Sequence, residues 1–208
     1  MIINEAEARA FCEDRLNADA YHRLEDFVAL LVAENARQNL VANASLDDVW
    51  RRHIADSVQL IDHVPRGTGT WLDLGSGGGF PGLIIGMALP ERSITLVESR
   101  RLRADWLQAV ARELGLMNVA VLASRLETVP HRSVDVISAR AFAPLPKLLR
   151  VSARFSTPMT DWVLPKGRTA GQELQEQTPA VRRMFHVEQS LTDPDAGILI
   201  GRGVPELQ

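Results

Sequence analysis

The residues with the most chemical content form one stretch, Leu72-Asp73-Leu74-Gly75-Ser76-Gly77-Gly78-Gly79-Phe80-Pro81-Gly82. Thr70 to Leu74 reads as a short buried strand, the glycines as a turn, and Leu83 to Leu89 as an apolar helix. A strand that ends in glycines and restarts as a helix lets a ligand approach backbone N–H groups at the helix N-terminus. Such turns lie at the carboxyl edge of parallel sheets, where α/β proteins place their cofactors. Glu98, 23 residues after Gly75 and at the end of the next strand, can accept both ribose hydroxyls of an adenosine. Turn and acid together select an adenosine-bearing ligand without choosing among such ligands.

Two registers of the glycines compete. Gly77 to Gly82 satisfies G-x-G-x-x-G, the dinucleotide fingerprint, but a glycine-rich stretch matches that pattern cheaply. The other register, Asp73-x-Gly75-x-Gly77-x-Gly79, resembles motif I of class I S-adenosylmethionine (AdoMet) methyltransferases. In that family the strand-end carboxylate organises the loop and helps hold the cofactor's amino-acid moiety, directly or through water. Phe80-Pro81 also makes a poor pyrophosphate cradle, because proline removes a donor where a diphosphate needs N–H groups. AdoMet is the favoured ligand, with a nucleotide as the alternative.

The elements that must position these residues alternate along the chain. Glu5 to about Arg37 is helical with a break near Asn17, and Tyr21, Leu24, Phe27, Val28, Leu31 and Val32 form one apolar stripe. Asn39 to Asn43 reads as a loop. Ser45 reads as the N-cap of a third helix, with Asp47 and Asp48 in its first turn and an end near His63. Pro65 to Gly69 marks a boundary, so residues 1–64 are a helical segment and 65–208 the ligand-binding domain. Beyond it, Ser93–Val97, Val119–Leu122, Val134–Ser138 and Asp161–Pro165 read as strands. Met184–Gln189 and Gly197–Ile200 read as a terminal strand pair. Leu102–Leu114 and Pro146–Phe155 read as helices, and Gln172–Gln177 as a short polar stretch. This alternation predicts a parallel sheet covered by helices on both faces.

Composition narrows the class. At 208 residues with 46% hydrophobic content, the chain can bury one good core and a modest appendage. No apolar run approaches the roughly 18 residues of a membrane span, and the start lacks a signal-peptide apolar region. The single cysteine, Cys12, offers neither a disulfide framework nor a zinc cluster. The expectation is a soluble, cytoplasmic, metal-free monomer. Net charge is −3, but residues 136–170 carry six basic residues, Arg140, Lys147, Arg150, Arg154, Lys166 and Arg168, against Asp161 alone. That asymmetry permits a local basic surface.

Further motifs carry a more specific resemblance. Asn39-Leu40, Arg52-His53-Ile54-Ala55-Asp56-Ser57, the glycine stretch, Leu96-Val97-Glu98-Ser99, Ser124-Arg125-Leu126-Glu127, Ser138-Ala139-Arg140-Ala141 and Pro165-Lys166-Gly167 follow one another in order. Their sequence and distances resemble the glucose-inhibited division protein B family, bacterial small-subunit rRNA guanine-N7 methyltransferases. The resemblance covers about Arg37 to Gly201. It implies a Rossmann-like class I AdoMet-dependent methyltransferase fold: a mostly parallel seven-stranded sheet with an antiparallel C-terminal strand. It also implies methylation of guanine 527 in the 530 loop of 16S rRNA, within the 30S subunit or an assembly intermediate. Cofactor positions by this resemblance are Asp73, Gly75, Gly77, Phe80, Glu98, Leu126, Glu127 and Arg140. The family usually places serine directly before the arginine, whereas this chain reads Ser138-Ala139-Arg140.

Guanine N7 carries an in-plane lone pair and no proton, so it can attack a sulfonium methyl in line without a general base. None is assigned, although His53 and Asp56 invite the role; Arg140, His53 and Lys166 are positioning candidates. An arginine that forks O6 and N7 would block the nucleophile, so Arg140 can hold O6, a phosphate or the AdoMet carboxylate but not both acceptors of the base. Because A-form helices hide N7 in a deep groove, the target must be exposed in a loop. Arg37, Arg51, Arg52, His53, Lys166 and Arg168 are candidates for gripping the surrounding backbone. Few aromatics are available, which predicts recognition by shape and phosphate contacts. A nucleotide-dependent oxidoreductase, a non-catalytic adenosine sensor and a division-related binding protein are the alternatives.

Overall fold

A computed structural model describes residues 1–67 and 69–207. Thr68, within the expected boundary, and Gln208 lie outside the described residues. One seven-stranded sheet has the order β3-β2-β1-β4-β5-β7-β6. Its strands are β1 (Gly69–Leu74), β2 (Arg92–Glu98), β3 (Val119–Ala123), β4 (Val136–Ala139), β5 (Asp161–Gly167), β6 (Phe185–Gln189) and β7 (Gly197–Arg202). The first five are parallel, and β7 runs antiparallel to both β5 and β6. Strand order reverses between β1 and β4, which opens a crevice at their carboxyl ends.

Alternation along β1 divides the core. Trp71 faces one side with Leu83, Ile84 and Trp106; Leu72 and Leu74 face the other with Leu148, Leu149 and Trp162. Helices α1 (Glu5–Arg15) and α2 (Ala18–Gln38) belong to the first side, where Leu24, Phe27 and Leu31 join the same apolar cluster as the sheet. The N-terminal segment therefore closes one face of the sheet and has no separate core. Asn4 and Asn17 begin these helices by accepting from the N–H groups of Glu7 and Ala20 at 2.9 and 2.8 Å.

The expected third helix is built differently. Asn43–Ser45 is a 3-10 turn and Trp50–Ala55 a π-helix, continued by the α-helical turn α3 (Asp56–Val58) and a 3-10 stretch, Gln59–His63. Ser45 caps nothing: its hydroxyl donates to Ala42 O at 2.7 Å and lies 2.8 Å from His53 Nε2. The N–H groups of Trp50 and Arg51 instead meet the Glu5 carboxylate of α1, at 3.0 and 2.7 Å. Downstream, α4 (Gly82–Ala88), α5 (Arg101–Glu113), α6 (Leu145–Ser152) and α7 (Ala170–Gln175) cover the sheet. A further helix, α8 (Pro179–Met184), takes Met184 from the expected strand; Thr178 caps it and Pro179 occupies its first turn.

Candidate active site

The glycine turn leaves β1 at the crevice and is tied down from behind. The Asp73 carboxylate is fully buried, accepting from Gly82 N at 3.2 Å and from the Ser138 hydroxyl at 2.6 Å. Ser138 Oγ in turn accepts from Trp71 Nε1 at 2.8 Å. Burial pushes the Asp73 carboxyl above its ordinary range, against the pull of these hydrogen bonds. Asp73 thus organises the loop, and its side chain does not line either cleft described below. A Cβ at Gly82 would run into Leu96 and that carboxylate, so only glycine fits there. Glu98 is also buried, accepting from Gly77 N at 3.0 Å and Arg100 N at 2.7 Å. It pins the turn to the end of β2, and a carboxylate has further lone pairs for a ligand's hydroxyls.

A cleft of about 190 Å³ opens beside the turn, lined by Gly75, Val97, Ser99, Ser124, Leu126 and Glu127 among others. Apolar Val97 and Leu126 with polar edges at Ser99, Ser124 and Glu127 suit a purine nucleoside. At Gly75, with φ +67°, a Cβ would sit 2.6 Å from the Phe142 ring and intrude on this space. Arg154 fixes the loop by donating to Leu126 O and Val129 O at 2.6 and 2.8 Å. Phe80 lies elsewhere: its ring is buried, edge-on to Phe27 at 5.5 Å and stacked under His53 at 4.9 Å.

The Arg140 guanidinium, at the end of β4, rests 4.8 Å from the Phe80 ring centroid. It donates to Arg52 O and Asp56 Oδ2, each at 3.3 Å, and reaches His53 Nδ1 at 3.1 Å. The proton of Ser45 goes to Ala42, so His53 Nε2 donates to Ser45 and Nδ1 is left as the acceptor for Arg140. Burial, then the charges of Arg140 and Arg52, lower the His53 pKa to about 3. Asp56 is equally committed, its Oδ1 accepting from Thr192 at 2.8 Å and Gln59 at 2.9 Å.

Arg140 faces a wider cleft of about 1010 Å³, whose lining includes Arg51, Arg52, Lys166 and Arg168. Arg51 pairs with Asp48 at 2.7 Å and exposed Arg168 with Asp195 at 3.0 Å. Exposed Arg52 has no side-chain partner among the described residues. Lys166 is placed otherwise than a surface grip requires. Its side chain is 8% exposed, and Nζ donates to Ala143 O and Glu173 Oε2, each at 2.9 Å. Glu173 also accepts from Leu145 N at 2.9 Å, so the pair anchors the loop between β4 and α6. Burial would raise the Glu173 carboxyl, but these hydrogen bonds outweigh it and the net shift is downward. Arg37 pairs with Glu34 at 3.0 Å on α2, away from the cleft lining. Glu5, Ser45, Glu173 and Phe142 were not anticipated as site residues; Glu5, Glu173 and Phe142 contribute through contacts distant in sequence, and Ser45 by turning inward to Ala42 and His53.

A family model described as rRNA small subunit methyltransferase G (GidB) matches residues 20–193. The chain belongs to this family. A Ribosomal RNA small subunit methyltransferase G from Erythrobacter litoralis is 57% identical over 203 residues, covering 98% of each chain. Beyond the methyltransferase G family, solved structures share the fold alone. A ribosomal protein L11 methylase from Lactobacillus delbrueckii subsp. bulgaricus has a TM-score of 0.58 at 14% identity, covering 72% of this chain and 77% of that one. A SAM-dependent methyltransferase from Aquifex aeolicus has a TM-score of 0.52 at 15% identity, covering 72% and 89%. The architecture of this methyltransferase G family member is thus the class I methyltransferase sheet. Among its described residues, no helix is long and apolar enough to cross a membrane, and no group of three or more His, Cys, Asp or Glu could hold a metal.

Proposed function

We propose that this protein transfers the methyl group of AdoMet to N7 of guanine 527 in the 530 loop of 16S rRNA. Membership of the small-subunit methyltransferase G family across residues 20–193 carries this reading. The nucleoside-sized cleft beside Gly75 and the wider cleft beside Arg52 supply compatible places for donor and acceptor. AdoMet, when bound, supplies an electrophilic methyl on a sulfonium. Gly75, Val97, Leu126 and Glu127 would hold its adenosine, with Glu98 behind the turn. Both His53 nitrogens and both Asp56 oxygens are committed to protein partners. That commitment supports a reaction in which no side chain removes a proton, in keeping with an N7 nucleophile that bears none. The protein's work is then to hold nucleophile and methyl in contact and to exclude water.

Labelled AdoMet presented with 30S subunits, free 16S rRNA and tRNA tests the reading. The expected result is label at guanine N7 in the 530 loop on one or both of the first two substrates. AdoMet binding without labelling of any RNA would favour the adenosine sensor and remove the catalytic reading.

A further inference from the structure

Phe142 stands apart from the other aromatic residues of the chain. Among the described residues, every other Phe, Tyr and Trp has a ring or a guanidinium against it, as Trp162 has Phe185 and Phe155 has Arg154. Phe142 has neither, although it is half-buried and its ring edge abuts Gly75. It is also the one aromatic residue lining the 1010 Å³ cleft, and it lines the 190 Å³ cleft as well. The ring therefore stands where the two spaces meet.

The backbone holds it there at some cost. Ala141, just before it, has φ +52°, a left-handed conformation that a residue with a Cβ adopts rarely. The loop is pinned immediately behind the ring, by Lys166 on Ala143 O and by Glu173 on Leu145 N. An aromatic ring that packs on the apolar cluster of Leu72 and Leu145 yet lines both clefts, set at their junction by a strained residue and a partly buried ion pair, is preorganised for a flat ligand. Resting on the RNA-methylating reading above, we infer that Phe142 is the stacking platform for the target purine. The base lies on the ring at the mouth of the donor cleft, with Arg52 and Arg140 on the adjoining wall. This adds a specific base contact to the shape and phosphate recognition expected from the scarcity of aromatics.

The test compares Phe142→Leu, which keeps apolar bulk without a π face, with Phe142→Tyr, on the RNA that the unaltered enzyme methylates. AdoMet affinity is followed separately by tryptophan quenching. Leucine is expected to lower kcat/KM for RNA roughly ten-fold or more at saturating AdoMet, with tyrosine staying within about two-fold of the parent. AdoMet affinity should change little in either variant. Unchanged RNA kinetics in Phe142→Leu would overturn the inference. So would a loss matched by weaker AdoMet binding that tyrosine does not rescue, which would make the ring a cofactor wall only. If the unaltered enzyme methylated no RNA, the functional reading itself would fail, an outcome separate from a failure of stacking alone.

Discussion

The imidazole of His53 is held by a hydroxyl on one nitrogen and a guanidinium on the other, over the face of Phe80. A ring in that position orients Arg140 and has no lone pair left for a reacting proton. Two consequences separate this role from that of a base. His53→Ala should lower kcat roughly 10- to 100-fold by loosening Arg140. His53→Gln should recover much of that, because its carbonyl oxygen can accept from Arg140, whereas a lost base would not be restored. The measurement is kcat for both variants under saturating AdoMet. The second consequence concerns stability. With a folded pKa of about 3 against an ordinary 6.5, the unfolded chain binds a proton that the folded chain refuses. The contribution is complete above pH 6.5 and is lost as pH falls from there towards 3. The slope is at most about 1.4 kcal/mol per pH unit. Urea midpoints from pH 7.5 down should fall less steeply for His53→Gln than for the parent.

The π-helix Trp50–Ala55 places Arg51 and Arg52 along the wide cleft and His53 behind Arg140, and its first N–H groups are served from α1. Glu5→Ala should therefore cost about 1–2 kcal/mol, read as a lower urea midpoint. It should also weaken RNA methylation, although Glu5 does not itself line the cleft and acts through the backbone of Arg51, which does; Glu5→Gln keeps an acceptor and should fall between. Such a cap was not legible in the sequence, because Glu5 and Trp50 meet only through the docking of α1. The same holds for Ser45, which has the residue type and setting of an N-cap but turns inward to Ala42 and His53. Local signals were sound where the chain itself decides the geometry. The Asp73–Gly82 turn, the Asn17 break between helices and the alternation from β1 to β5 all follow from residue type and period. Lys166 had the opposite fate: Pro-Lys-Gly after a strand reads as an exposed cation, and only the fold brings Glu173 against it.

Across the whole molecule, a net charge of −3 gives no general attraction for a polyanion, so the grip on RNA must be local. Exposed acids such as Glu13 and Asp19 lie on α1 and α2, which close the side of the sheet away from α6. The cations of the wide cleft differ in what they can offer. Arg52 is exposed and without a side-chain partner among the described residues, Arg51 and Arg168 are shared with carboxylates, and Lys166 is enclosed. A phosphate contact releases a counterion and shows in the salt dependence of binding, whereas a lysine that anchors a loop does not. Arg52→Ala should weaken RNA binding and reduce the slope of log K against log salt by about 1. Lys166→Met should leave that slope unchanged while lowering kcat, because Glu173 loses its partner and the Phe142 loop its anchor. Filter binding from low to moderate salt, alongside single-turnover methylation, separates the two. A slope that fell with Lys166→Met and not with Arg52→Ala would mean that the lysine leaves Glu173 to meet the RNA.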